Sequence, residues 1–214
     1  MQHKVGILVF PEVEILDFCG PFEVFSATRL NEQRRREEPS PLHVVLIAEG
    51  EDPVSTTGGM HVLADFTLEN HPPLDILVVP GGWGTRALQS NKRVLGWIAL
   101  CAQQAKVVCS VCTGSFLLAG AGLLEERSAT THWQSLNRMR ETFPNVKVRD
   151  DLHVVNDGNI FTSAGISAGI DMALHLVALM YGAEIGRATA RHMEYPVPES
   201  NARRVEAQYI AAAR

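Results

Sequence analysis

"VVCSVCTGSFLLAGAG", residues 107–122, decides how this chain reads. A β-branched run carries Cys109 inside it and ends at Cys112. Thr113, Gly114 and Ser115 then open a stretch of small and apolar residues that suits a helix. Strand, tight turn and helix form the repeating unit of parallel sheets. Working outward, short β-branched runs recur at 4–10, 42–48, 75–80 and 105–110. Runs at 153–157 and 159–163 are joined by Asp157-Gly158, which predicts a hairpin. Apolar spacing of three and four predicts helices over 18–30, 91–104 and 133–143. Residues 167–182 are apolar nearly all round, as in a helix packed between a sheet and another layer. The pattern predicts an α/β fold: a mainly parallel sheet with helices on both faces.

Of the 214 residues, 46% are apolar and 20% charged, with a net charge of −5. The one basic run, "QRRR" at 33–36, is followed at once by Glu37 and Glu38, so it reads as a solvated face. No nucleic-acid partner is expected. The N-terminal run reaches Pro11 without a cleavage-site pattern, and no apolar run has membrane-spanning length, so no membrane partner is expected either. The expectation is a cytoplasmic protein whose four cysteines stay reduced. No repeat or linker breaks the chain, which predicts one domain over 1–214. The tail 196–214 carries two prolines and then an Ala-rich stretch, read as a short helix or a frayed end.

Open α/β sheets bind ligands beyond the carboxyl ends of their strands. Three turns fall there: "PEVEILDFCGP", "VPGGWGT" and "SVCTGS". Zinc needs four ligands, and no second CxxC or HxxxH accompanies Cys109 and Cys112, so no metal is expected. Cys109, within a strand, reads as a small buried hydrophobe. Cys112, at the turn into a helix, would have its thiolate favoured and its pKa lowered. The residues alone leave it open whether Cys112 is catalytic or inert. Gly81 and Gly82 allow close backbone approach, and with the Thr113 N–H would make an oxyanion pocket; a plain tight turn explains them equally. Trp83 would wall a pocket or cap the sheet. Asp17 reads either as a helix cap or as a proton-handling acid. Pro21 suits the first helical position with Gly20 as cap, which leaves Asp17 upstream, facing the cleft with a raised pKa. Glu14 is a rival for that role. His132, beside Trp133, reads as a structural hydrogen-bonder with a possible supporting part. His192 and Glu194 sit where a helix breaks toward Pro196, a poor place from which to reach Cys112.

"LVFPEVEILDFCGPFEVF" (8–25), "ILVVPGGWGT" (76–85), "VCTGSFLLAGAGLLEERSATTHW" (111–133) and "GISAGIDMALHLV" (165–177) together resemble the ThiJ/PfpI branch of the class I glutamine amidotransferase-like superfamily. The resemblance runs over nearly the whole chain. It implies a flavodoxin-like fold, a homodimer, and no metal or organic cofactor. It places the nucleophile on Cys112, the proton-handling carboxylate on Asp17 and the oxyanion donors on Gly82 and Thr113, with the Thr113 hydroxyl in support. Protease and glyoxalase members carry His after the cysteine and Glu in the first turn. Here Thr113 and Asp17 stand there, which points away from those activities. Related segments form the sensor half of AraC-type regulators, but no helix-turn-helix follows within the 214 residues. The likeness is nearest to members that hydrate isonitriles. The expected activity is therefore that of a hydro-lyase: the Cys112 sulfur adds to a small isonitrile, and water then yields an N-substituted formamide. Ile15, Phe18 and Trp83 would wall the apolar substrate. The alternatives are a thiol-based redox sensor, with Cys112 oxidised, and a non-catalytic small-molecule-binding regulator.

Overall fold

Strands as apolar as "ILVV" at 76–79 belong between two layers, because neither of their faces suits water. The structure, a computed structural model, describes residues 2–205. Its strands are β1 (His3–Leu8), β2 (Leu42–Ala48), β3 (Val54–Ser55), β4 (His61–Val62), β5 (Phe66–Thr67), β6 (Ile76–Val79), β7 (Val107–Val111), β8 (Ser128–Ala129), β9 (Lys147–Val148), β10 (Val154–Asp157) and β11 (Ile160–Ser163). Seven strands form one sheet in the order β10-β11-β7-β6-β1-β2-β5. Every pair is parallel except β10 with β11, the predicted hairpin, whose turn uses Gly158 at φ 68°. β3 pairs with β4 and β8 with β9 in two small separate ladders.

The helices are α1 (Ile15–Ala27), α2 (Thr85–Leu88), α3 (Lys92–Gln104), α4 (Gly114–Gly120), α5 (Leu136–Thr142), α6 (Ala168–Tyr181) and α7 (Ala183–His192). α1, α6 and α7 pack on one another, and α4 packs against α2, α3 and β7. The result is a flavodoxin-like α/β fold. Phe25, Phe116, Ile7, Leu77 and Ile98 are fully buried; such side chains each contribute about 1.5–3 kcal/mol through burial. Among the described residues no helix is long and apolar enough to cross a membrane.

Three readings change. α1 starts at Ile15, so Pro21 lies inside the helix and neither it nor Gly20 marks the start. The proline forgoes one hydrogen bond, to the Asp17 carbonyl, and packing of the buried Phe18, Val24 and Phe25 outweighs that loss. The segment 133–143 divides into a 3-10 turn at Trp133–Ser135 and α5. The tail 196–205 is irregular, with no helix, and Ala202 forms a bridge with Leu152. The Ala-rich end of the tail, 206–214, lies outside the described residues.

Register sets up the site. β1 pairs Ile7 with Val78, and β7 pairs Cys109 with Val78 and Phe161. The turns after β1, β6, β7 and β11 therefore open at one end of the sheet, close together in space.

Candidate active site

Cys112 closes β7 with a left-handed backbone, φ 57°. A side-chain-bearing residue there is strained, and it persists only when its surroundings hold it. The surroundings do so on every side. The Cys112 N–H donates to the Ser163 and Ala164 carbonyls, at 3.2 and 3.1 Å. Its carbonyl accepts from the Thr131 hydroxyl at 2.9 Å and the Ser115 hydroxyl at 3.1 Å. Gly114 lets the elbow press onto β6: a Cβ there would fall 2.0 Å from the Val79 carbonyl oxygen.

The three turns singled out from the sequence meet here. The Gly81 N–H donates to Asp17 Oδ2 at 2.9 Å, and the Gly82 N–H donates to Thr113 Oγ1 at 3.1 Å. Thr85 Oγ1 lies 2.8 Å from the Gly82 carbonyl and 3.2 Å from Thr113 Oγ1. Gly81 is the residue that permits this meeting. A Cβ on it would lie 2.6 Å from the Thr113 nitrogen and 2.8 Å from Asp17 Oδ2. Gly82, at φ 125°, bridges to Val13, and the Glu14 N–H donates to the Gly81 carbonyl at 3.0 Å.

The electrostatics differ from the sequence expectation at the sulfur and agree with it at the acid. The Asp17 side chain is fully buried in the first turn of α1, and its Oδ1 has no hydrogen-bond partner among the described residues. Burial pushes its pKa up to about 8, and Glu14 adds to the rise; the Gly81 N–H and the Cys112 thiol oppose it. The carboxyl is therefore protonated at neutral pH. The Cys112 thiol is also pushed up, first by burial and then by Asp17. The N–H groups of Thr113 and Ile166 pull the other way without prevailing. The expected lowering at the helix start thus fails, because desolvation of a residue only 6% exposed outweighs the end of a seven-residue helix. Thiol and acid face each other as neutral partners.

The other candidates occupy distinct places. Cys109 is fully buried in β7, its pKa raised by burial alone. Ile15 is half-buried against Gly58 of the β3–β4 turn. Phe18 belongs to the buried core of α1, at 2% exposure. Trp83 is 59% exposed, with the Arg86 guanidinium 4.3 Å from its ring centre. His132 is half-buried, accepts at Nδ1 from the Gln134 N–H, and lies tightly against Gly165. Burial, aided by Arg203, lowers its pKa and keeps the ring neutral. His192 ends α7 and lies near enough to Glu32 to lower that acid's pKa.

Two residues escaped the sequence reading. Ile166, at φ 54°, presents a backbone N–H to the sulfur from the turn after β11. The only trace of it was the small-residue spacing of "AGISAG". Arg203, on the C-terminal tail, donates to the Thr131 carbonyl at 3.0 Å and to the Thr130 hydroxyl. It braces the residue whose hydroxyl holds the Cys112 carbonyl. A cavity of about 630 Å³ lies elsewhere, lined by His153, Asp171, His175 and Asn201 among others, and shares no residue with this site. Among the described residues no cluster of three or more His, Cys, Asp or Glu side chains is arranged to hold a metal.

A strained cysteine elbow at the carboxyl end of a parallel sheet, with an acid from the first turn beside it, defines a class. The chain belongs to the DJ-1/PfpI family, whose model matches residues 3–179. It is 37% identical over 199 residues to isonitrile hydratase from Pseudomonas putida, covering 92% of this chain and 81% of that one. It is 34% identical over 142 residues to the HTH-type transcriptional regulator GbdR from Pseudomonas aeruginosa, covering 66% of this chain but only 38% of the regulator. A solved ThiJ/PfpI family protein from Pseudomonas syringae superposes with a TM-score of 0.81 at 29% identity, covering 94% of this chain and 78% of the other.

Proposed function

We propose that this protein is a cysteine-dependent hydratase that converts an isonitrile to an N-substituted formamide. One observation carries the reading: a neutral, buried carboxyl on Asp17, with an unpartnered oxygen, beside a neutral thiol on Cys112. The likeness to isonitrile hydratase supports it. Isonitrile hydration needs a soft nucleophile and one group that gives and regains a proton. In the first step the Cys112 sulfur bonds the terminal carbon of the isonitrile. The Asp17 carboxyl delivers a proton to that carbon and takes the thiol proton, giving a thioimidate. Water then adds to the same carbon, its proton passing through Asp17 to nitrogen. The carbon–sulfur bond breaks, the hydroxyl proton returns to sulfur, and the formamide leaves. The backbone N–H groups of Thr113 and Ile166 steady the sulfur while its charge develops.

The likeness to GbdR favours a second reading, a ligand-binding regulator without turnover. The test is formamide formation from a simple alkyl isonitrile by the wild type and by Cys112→Ala. Turnover that survives loss of the sulfur overturns the hydratase reading. No turnover in either protein, with ligand-induced thermal stabilisation retained in Cys112→Ala, selects the regulator.

A further inference from the structure

Two arginines near the cysteine elbow play no part in the chemistry above. Arg86 follows Thr85, whose hydroxyl touches Thr113 Oγ1. Arg138 precedes Met139, whose sulfur lies 3.8 Å from Ser115 Oγ, the group that also reaches the Cys112 carbonyl, and it is close enough to interact electrostatically with both Cys112 and Arg86. Each guanidinium rests on an aromatic face: Arg86 on Trp83 at 4.3 Å, and Arg138 on Phe116, one helical turn beyond Cys112, at 4.1 Å. Stacking fixes their positions while leaving their in-plane N–H groups free to donate.

Neither has a carboxylate within ion-pair distance among the described residues, whereas Arg127, Arg140 and Arg204 pair with Asp157, Asp150 and Asp171. One Arg138 nitrogen, Nη2, is buried with no acceptor among the described residues. The two cations also feel each other, since Arg86 adds to the lowering of the Arg138 pKa that burial begins. In a chain of net charge −5, two fixed, uncompensated guanidinium groups with an idle buried donor are poised for an anion that arrives from outside.

We propose that Arg86 and Arg138 form a carboxylate-recognition pair at the mouth of the Cys112 site, and that the substrate carries a carboxylate. A planar carboxylate matches the guanidinium fork, and Asp17, held neutral, does not repel it. The inference rests on Cys112 as the reacting atom and, with the hydratase reading, specifies a carboxylate-bearing isonitrile.

The test is alkylation of Cys112, which needs no hydration. Iodoacetate and iodoacetamide both place a methylene carbon on sulfur and expel iodide; they differ in carrying a carboxylate or an amide. The rate ratio, iodoacetate over iodoacetamide, is measured by intact mass and divided by the same ratio for free glutathione. The wild type is expected to exceed glutathione about tenfold at low salt, as a charge-assisted hydrogen bond warrants. Arg138→Met and Arg86→Met should each lower the ratio, and together they should abolish the excess. Arg138→Lys, which keeps the charge and loses the fork, should recover part of it. Arg191→Met removes a cation from α7 and should keep the wild-type ratio. A wild-type ratio no higher than that of glutathione, or a ratio indifferent to both arginines, overturns the proposal. A wild type that shows the preference yet hydrates no isonitrile retains the carboxylate pair and removes the hydratase reading.

Discussion

Replacing Asp17 by asparagine removes the proton but keeps the shape, and its consequences divide cleanly between stability and rate. The amide oxygen still accepts from the Gly81 N–H, now 2.9 Å from Oδ2, so the turn should persist. In the wild type the folded carboxyl titrates near 8 against an ordinary value of 3.8. The unfolded chain therefore releases this proton above about pH 4, while the folded chain holds it until about pH 8. The contribution of Asp17 to wild-type stability falls with rising pH across that window, by about 1.4 kcal/mol per pH unit, to a ceiling of about 6 kcal/mol. The asparagine variant has no such proton. Urea denaturation of both proteins from pH 4 to pH 9 should show the variant gaining on the wild type as pH rises, with the gap levelling above pH 8. Hydration by the variant should meanwhile fall by about 10²–10⁴-fold, the usual worth of a positioned acid–base group. A stability difference that does not change between pH 4 and pH 8 would refute the claim that burial keeps this carboxyl neutral.

Other outcomes follow from the same geometry. The rate of hydration should drop as pH passes through about 8, because ionised Asp17 no longer delivers a proton; a pH–rate profile flat to pH 9.5 contradicts that role. Gly81→Ala places a carbon 2.6 Å from the Thr113 nitrogen and 2.8 Å from Asp17 Oδ2, so activity should be lost along with roughly 2 kcal/mol of stability, measured by denaturation. Arg203→Met leaves the Thr131 carbonyl without its donor and should lower the melting temperature by about 2–4 °C while weakening turnover; an unchanged melting curve would show that the tail contributes nothing to the elbow.

What the chain reveals on its own is local. β-branched runs predicted strands at 42–48 and 75–80, three-and-four spacing a helix at 91–104, and all-round apolarity a helix at 167–182; each is found within one residue at either end, because these patterns are properties of neighbouring residues. The different situations of Cys109 and Cys112 were legible for the same reason: one lies within a strand, the other where the strand must turn. Convergence of the turns at 81–82 and 112–113 was also readable, since parallel strands bring their carboxyl ends to one side.

Only the folded chain settled the start of α1, where packing of Phe18 and Phe25 overrides the punctuation that Gly20 and Pro21 supply. It alone revealed Ile166 against the sulfur, Arg203 behind Thr131, and the arginines beside the elbow, each brought in from a remote segment. It also reversed the expected ionisation of Cys112. A helix start seen in sequence promises a favoured thiolate, but the cost of charging a group depends on how much water its tertiary neighbours exclude, and a one-dimensional pattern does not carry that quantity.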